Sequence, residues 1–241
     1  MSSGIGPLFG VEINGERKNF FASFATAKEI QAQVVAEGST AEIFEHSVAE
    51  IEAKTREDAS REFMKLGVQY YVAARSAAWA GLLPVTGNLY HHSLEMFLKA
   101  GLSHKYSLTE LKRKFSHRLP EIWTEFKAEF PEHSLETFGT TIDDVAEFEE
   151  VRYPDNVLKR GAQMIVDFRG TATPVQSNGA PTRPEPPLYK FYFDDVDRLI
   201  GAIFTACSKN PLFFTSGLRR HVQDMLSRDN PVAGQLLMNR V

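Results

Sequence analysis

The sequence has a single cysteine and no long apolar run, and both absences limit what the chain can be. Cys207 excludes an internal disulfide and fits a reducing compartment. It lies in the apolar segment LIGAIFTAC, which favours a small core residue over a nucleophile. No apolar stretch approaches the roughly 20 residues that cross a bilayer, and the N-terminal MSSGIGPLFG lacks the basic and apolar regions of a signal peptide. We therefore expect a cytoplasmic protein.

An excess of charge of one sign is also missing. The chain has 27 Lys and Arg against 31 Asp and Glu, a net charge of -4, which argues against a broad phosphate-binding surface but leaves room for a local basic patch. Phosphate loops, zinc patterns and Gly-x-Ser-x-Gly elbows do not occur. The pair Asp143-Asp144 follows Gly139 too closely for a nucleotidyltransferase site. We expect no catalytic residue, no metal site and no cofactor.

A helical hairpin over residues 59–103 is the main feature that is present. Apolar and small residues recur there every three or four positions, the spacing of one helix face. Pro84 and Gly87 are predicted to end the first helix, and a second helix is predicted to resume at Asn88. A connection this short makes the two helices antiparallel neighbours, which indicates a bundle.

The segments around this hairpin carry local signals of their own. Asn14-Gly15 favours a β-hairpin turn, and Ser39 is predicted to cap a helix. Further along, Ser107 and Glu110 form a capping box. Pro120 is predicted to lie in the first turn of a new helix, and an acidic helix is expected over 141–151.

Two short apolar runs, 163–168 and 188–193, predict a small β-hairpin with a long Pro- and Gly-rich loop at 169–187. The expected fold is thus mainly α, an up-and-down helical bundle with a small β-hairpin insertion. We divide the chain into an N-terminal arm at 1–57, a bundle at 58–208 with its insertion at 157–192, and a C-terminal helical extension at 209–241.

The second helix of the hairpin carries a polar stripe, with His91, His92, Glu95 and Lys99 at spacings of three and four. His91 and Glu95 offer two metal ligands, but two ligands do not make a site, and no Cys or further His lies at ligand spacing nearby. The stripe is either a ligand contact or a solvated, interface-lining face with an internal ion pair.

Two further groups are candidates for binding a ligand. His117 follows the basic cluster that includes Arg113, a pattern that suits phosphate or a packed histidine beside a solvated face. In RYPD, Arg152 and Tyr153 suit phosphate contact and base stacking. The structural alternative has Asp155 capping a helix or pairing with Arg152.

Three segments in this order resemble the HEPN family of helical bundles. They are HSLEMFLKAGL at the end of the hairpin, FSHRLPEIW at 115–123, which places His117 at the family's histidine, and RYPD at 152–155. The resemblance covers about residues 58–208. It implies a bundle of four or five helices, often a homodimer, that binds nucleotide or RNA, cleaves RNA, or partners a small nucleotidyltransferase in toxin–antitoxin or defence systems.

The ribonucleases of that family use an arginine followed by a histidine after four to six residues, and that spacing does not occur here. Arg113 and His117 are separated by only three residues. The hypothesis is therefore a non-catalytic nucleotide- or RNA-binding or protein-partner module. The alternatives are a metal-independent ribonuclease whose Arg and His come from separate helices, and a structural dimerisation module.

Overall fold

The computed structural model describes residues 7–169 and 185–237, which are mainly helical, and this confirms the expected fold class. The chain divides into two compact units, Met1–Asp58 and Ala59–Val241. No helix among the described residues is long and apolar enough to cross a bilayer.

The strands are β1 (Phe9–Ile13), β2 (Glu16–Ala22), β3 (Ala41–Glu45), β4 (Gln163–Asp167) and β5 (Leu188–Tyr192). The helices are α1 (Phe24–Ala36), α2 (Val48–Trp79), α3 (Leu83–Leu102), α4 (Leu108–Phe115), α5 (Leu119–Glu129), α6 (Gly139–Ala146), α7 (Pro154–Arg160), α8 (Phe193–Ala206), α9 (Leu212–Thr215), α10 (Arg220–Ser227) and α11 (Ala233–Leu236). Short 3-10 segments cover Glu136–Phe138 and Glu147–Val151.

The first unit contains a three-stranded antiparallel sheet in the order β2-β1-β3. Asn14 (φ 51°) and Gly15 (φ 82°) make its hairpin turn, as predicted. The predicted helix that starts at Ser39 is wrong, because β3 occupies this segment and pairs with β1. The helix starts later, at Val48, and its capping pair is Ser47 with Glu50, whose backbone N–H donates to Ser47 Oγ at 3.3 Å.

In the second unit, α2 and α3 form the predicted antiparallel hairpin. The hydroxyl of Ser93 donates to the carbonyl of Gly67, and that of Ser60 donates to the carbonyl of Ala100. The first pair lies 26 residues apart and the second lies 40 residues apart. The sequence separation of the paired residues grows away from the connection, as it must when two helices run in opposite directions.

The prediction that Gly87 ends the first helix is wrong. α3 already begins at Leu83, with Pro84 in its first turn, where a missing N–H costs nothing. Gly87 lies inside this helix because the buried ring of Phe148 rests against it. A Cβ at Gly87 would lie 1.9 Å from Phe148 Cδ1, so the glycine is there for close packing.

The core is centred on α3. Tyr90, Leu94, Phe97 and Leu98 have no exposed surface, and the helix packs against α5, α6 and α8. Three further local predictions are confirmed. The capping box at Ser107 starts α4, and Pro120 lies in the first turn of α5. The acidic helix is α6 followed by a 3-10 segment.

The predicted β-hairpin within 157–192 is wrong, because β4 and β5 pair in parallel with Gln163 opposite Leu188 and Asp167 opposite Tyr192. Parallel strands need a crossover between them, and a tight turn does not supply one. Most of the predicted 169–187 loop, residues 170–184, lies outside the described residues. In the C-terminal extension, the described residues form α9, α10 and α11.

A buried ion pair ties α2 to α8 and to the chain that follows α10. Arg75 Nη1 donates to Asp197 Oδ2 at 2.5 Å, and Tyr71 Oη donates to the other carboxylate oxygen at 2.6 Å. Arg75 also donates to the carbonyl of Arg228, and Asn230 donates to Tyr71 Oη. These bonds anchor the segment that follows α10 to the bundle.

Candidate functional site

The polar stripe of α3 points into the protein, so the interpretation of a solvated face is wrong for most of it. The exposed fractions are 1% for Glu95, 2% for His91 and 6% for Lys99. The expected internal ion pair is present, with Lys99 Nζ 2.6 Å from Glu95 Oε1. Buried charges persist only when they are paired and hydrogen-bonded, so the next question is what else these groups contact.

A tight turn at residues 115–118 lies over the stripe. Arg118 N donates to the carbonyl of Phe115 at 2.9 Å. Ser116, the second residue of the turn, has φ 48° and ψ -118°, the conformation that type II′ turns require there and that glycine normally fills. A non-glycine residue held in this region costs on the order of 1–3 kcal/mol. The surrounding structure must therefore hold the turn in place.

Two buried side chains of α3 hold it. Lys99 Nζ donates to the carbonyl of Ser116 at 2.6 Å, and His91 Nε2 donates to the carbonyl of His117 at 3.0 Å. Burial lowers the pKa of His91, which favours the neutral imidazole, a donor at one nitrogen only. His91 therefore acts as a structural support for the turn, and the side chain that the turn presents is His117.

His117 is exposed, with 56% of its side chain accessible, yet its orientation is defined. Its Nδ1 lies 3.0 Å from Glu95 Oε2. A carboxylate only accepts, so Nδ1 carries a proton. Nε2 makes no hydrogen bond to the described residues. The result is an exposed imidazole fixed from behind by a buried carboxylate.

His92 approaches the same carboxylate oxygen from α3, with Nδ1 3.5 Å from Glu95 Oε2. Its ring lies 5.4 Å from the ring of Tyr70 and 6.1 Å from that of His117. One potential ligand atom each from His92, Glu95 and His117 lies within 4.8 Å of the others. We call these three residues the His-Glu-His cluster.

The charge of the cluster is set by Glu95. Burial by itself raises the pKa of this carboxyl, but hydrogen bonds from His92, Lys99 and His117 outweigh burial and bring the pKa to about 2. The carboxylate is therefore ionised throughout the physiological pH range. Lys99 holds Oε1, and Oε2 faces the two imidazoles.

Arg152, predicted to contact phosphate, is within electrostatic range of Glu95. Its Nη1 donates to Glu149 Oε1 at 3.0 Å, a bond that raises the pKa of Arg152, and Glu95 contributes to the same rise. Tyr153 is 63% exposed, with its ring 5.6 Å from the Arg152 guanidinium. The predicted pairing of Arg152 with Asp155 is wrong, since Asp155 faces Lys159 at 3.6 Å.

The basic residues near His117 lie on α4 and, in the case of Arg118, at the end of the turn. Lys114 is engaged with Glu125 and Tyr106, and Arg118 pairs with Glu121. Arg113 and Lys112 are exposed, and neither makes an ion pair with the described residues. Arg113 therefore stays a candidate for long-range attraction and is not a member of the His-Glu-His cluster.

Sequence reasoning found the members of the cluster but not how they combine. It paired His91 with Glu95 at a spacing of four, whereas the structure uses His92 at a spacing of three and His117, 22 residues beyond Glu95. It missed Ser116, because the only local signal was a polar residue between a helix end and a histidine.

No family model, curated protein or solved structure matches this chain.

Proposed function

We propose that the protein binds RNA or a nucleotide through its phosphate groups at the surface formed by His92, His117 and Arg152. The observation that supports this most directly is the exposed His117 imidazole, which buried Glu95 holds from behind on a strained and doubly anchored turn. Strain of this kind accumulates where a precise side-chain position is needed for function. The HEPN resemblance points to the same class of ligand.

The neighbouring charges suit a phosphate. Arginine donates to phosphate oxygens in pairs of hydrogen bonds, and Arg152 is within electrostatic range of Glu95 in the cluster. Lys112 and Arg113 have no ion-pair partner among the described residues and add local positive charge, although the whole chain carries -4. Tyr153, at 63% exposure, is free to stack on a base. A short single-stranded segment or a single nucleotide fits this small patch better than a duplex does.

RNA cleavage without a metal is the second candidate. It is favoured by the presence of two imidazoles with ring centroids 6.1 Å apart, one of them oriented by a carboxylate. Attack of a ribose 2′-hydroxyl on the adjacent phosphate needs one group to accept a proton and another to donate one. His117 and His92 supply two such groups, and Arg152 can stabilise the phosphate charge.

The resemblance also predicts a homodimer and a nucleotidyltransferase-like protein partner, and the single cysteine favours a cytoplasmic location; these remain proposals. Light scattering coupled to size-exclusion chromatography measures the molar mass in solution and so tests the homodimer. A protein partner becomes the leading hypothesis if neither RNA nor nucleotide is held.

The experiment is an equilibrium binding assay with the full chain, labelled single-stranded and structured RNAs, and mono- and trinucleotides, in chelator at low salt. We expect His117→Ala and Arg152→Ala each to weaken binding about tenfold, the value of one charge-assisted hydrogen bond. His221→Ala is the matched control, because His221 is an exposed histidine on α10, away from the cluster in sequence.

Two results would contradict the proposal. One is that nothing in the panel is retained by the wild-type chain, and the other is that all three variants bind equally well. Gels of the same mixtures report cleavage. Products that form in chelator and disappear with His117→Ala select the second candidate, whereas retention without products selects binding alone.

A further inference from the structure

Two distances within the His-Glu-His cluster match those between the ligands of a tetrahedral metal ion. Zn²⁺ binds imidazole nitrogen and carboxylate oxygen at about 2.0–2.2 Å, which puts neighbouring ligands about 3.3 Å apart. His117 Nδ1 and His92 Nδ1 lie 3.0 and 3.5 Å from Glu95 Oε2. One ring nitrogen of each histidine and one carboxylate oxygen of Glu95 all lie within 4.8 Å of one another.

The chemistry of the donors points to the zinc class of ions. Two imidazoles and one carboxylate suit late first-row divalent metals, whereas Mg²⁺ and Ca²⁺ prefer oxygen ligands alone. Three protein ligands leave the fourth tetrahedral position to water. The exposed face of His117 places that position towards solvent.

We propose that His92, Glu95 and His117 form a binding site for one Zn²⁺ ion. Each ligand is held by a contact behind it, as metal ligands usually are. Lys99 occupies Glu95 Oε1 and leaves Oε2 as the single carboxylate donor. Helix α3 fixes His92 relative to Glu95 at a spacing of three, and the anchored turn carries His117 to them.

In the metal-free protein the Nδ1 proton of His117 occupies the place that zinc takes. For zinc to bind, this proton would leave Nδ1 for solvent and a solvent proton would bind Nε2. The neutral ring would thus change tautomer with no net change in protons, and its Nδ1 lone pair would hold the ion. The positive charge of Lys99 nearby opposes the ion. We therefore expect zinc to bind reversibly and to be removed by chelators.

This inference stands on donor geometry and does not rest on the proposed RNA function. The probe is zinc alone, whereas RNA retention is measured in chelator. The zinc site can therefore be disproved while RNA binding stands, and RNA binding can be disproved while the zinc site stands.

The test is isothermal titration calorimetry of zinc chloride into the chelator-treated and dialysed full chain, in a buffer without phosphate. We expect one equivalent to bind, and His92→Ala and His117→Ala each to weaken binding about 100-fold or more, at least the loss seen when an outer contact of a metal site is removed. His221→Ala, the matched exposed histidine, should bind as the wild type does. Zinc should also raise the thermal midpoint of the wild type and of His221→Ala, but not of the two cluster variants.

Three outcomes would overturn the proposal. These are the absence of both heat and a midpoint shift, a stoichiometry that neither cluster variant changes, and an equal loss in His221→Ala, which would indicate scattered surface binding. Circular dichroism of each variant reports its folding. If His117→Ala is unfolded, His117→Gln replaces it, because the glutamine amide can still donate to Glu95 but does not supply an imidazole ligand.

Discussion

Replacing Glu95 by glutamine should destabilise the protein by about 3 kcal/mol at neutral pH. The carboxyl is 1% exposed, and its pKa falls from an ordinary 4.5 to about 2 in the folded chain. At about 1.36 kcal/mol per pKa unit, that fall corresponds to about 3 kcal/mol in favour of the ionised, folded form. Removal of one partner of a buried ion pair costs a similar amount, about 3–5 kcal/mol, and here Lys99 would be left without its partner.

The same shift predicts how the effect changes with pH. Because the folded pKa is lower than the unfolded one, this stabilisation is complete above pH 4.5 and is lost as the pH falls through 4.5 towards about 2. At about pH 3.5 the free energy of unfolding of the wild type should be about 1.4 kcal/mol lower than at pH 7 because of this carboxyl. The glutamine variant has no such group and should not show this loss. The gap between the two proteins should therefore narrow by about that amount.

Urea unfolding followed by circular dichroism at about pH 7 and about pH 3.5, with chelator present, measures both quantities. Glu121→Gln is the matched control, since Glu121 pairs with Arg118 at 2.8 Å but is 50% exposed, and an exposed pair contributes less than about 1 kcal/mol. The reasoning is refuted if Glu95→Gln costs less than about 1 kcal/mol at pH 7. A gap that stays constant between the two pH values would also refute it.

Three other substitutions test the packing that supports the site, each by its urea midpoint. Ser116→Gly should raise the free energy of unfolding by about 1 kcal/mol, because glycine adopts φ 48° and ψ -118° without strain. Gly87→Ala should lower it by about 2 kcal/mol or more, because the added Cβ would collide with the buried Phe148 ring. Asp197→Asn should lower it by about 3–5 kcal/mol, because Arg75 would be buried without its counter-ion.

For each of these three substitutions, one result would contradict the prediction. A loss of stability in Ser116→Gly would mean that the turn is not strained. Gly139→Ala is the control for Gly87→Ala, since an added Cβ at Gly139 meets no atom within 4 Å, and alanine there should be neutral or stabilising. Equal effects at the two glycines would show that backbone entropy, and not the Phe148 contact, decides the outcome at Gly87. A cost below about 1 kcal/mol for Asp197→Asn would show that the buried pair contributes little.

Local signals were sufficient where a few neighbouring residues decide the structure. The Asn14-Gly15 turn, the capping box of Ser107 and Glu110, and the helix start at Pro120 are all present as predicted. In each case the interacting groups lie within three or four positions of one another, so the sequence alone determines the geometry.

Prediction failed where the partner is distant along the chain. The AEIFE segment at 41–45 became a strand because β1 was available to pair with it. The parallel pairing of β4 with β5 joins residues 25 positions apart, such as Gln163 and Leu188. Gly87 was mistaken for a helix end because the ring that fills its place, Phe148, lies 61 positions away. Spacing along a helix carries no information about such contacts.

The candidate site depends both on local spacing and on contacts between residues that are distant in sequence. The sequence by itself determined that His92, Glu95 and Lys99 share one face of a helix, because a helix returns to the same face every three to four residues. Only the tertiary structure decided that this face is buried, that Lys99 and His91 hold the turn at Ser116, and that His117 meets Glu95 across 22 residues. The physical reason is that packing of α3 against its neighbours sets the burial, and burial determines which polar groups must find one another.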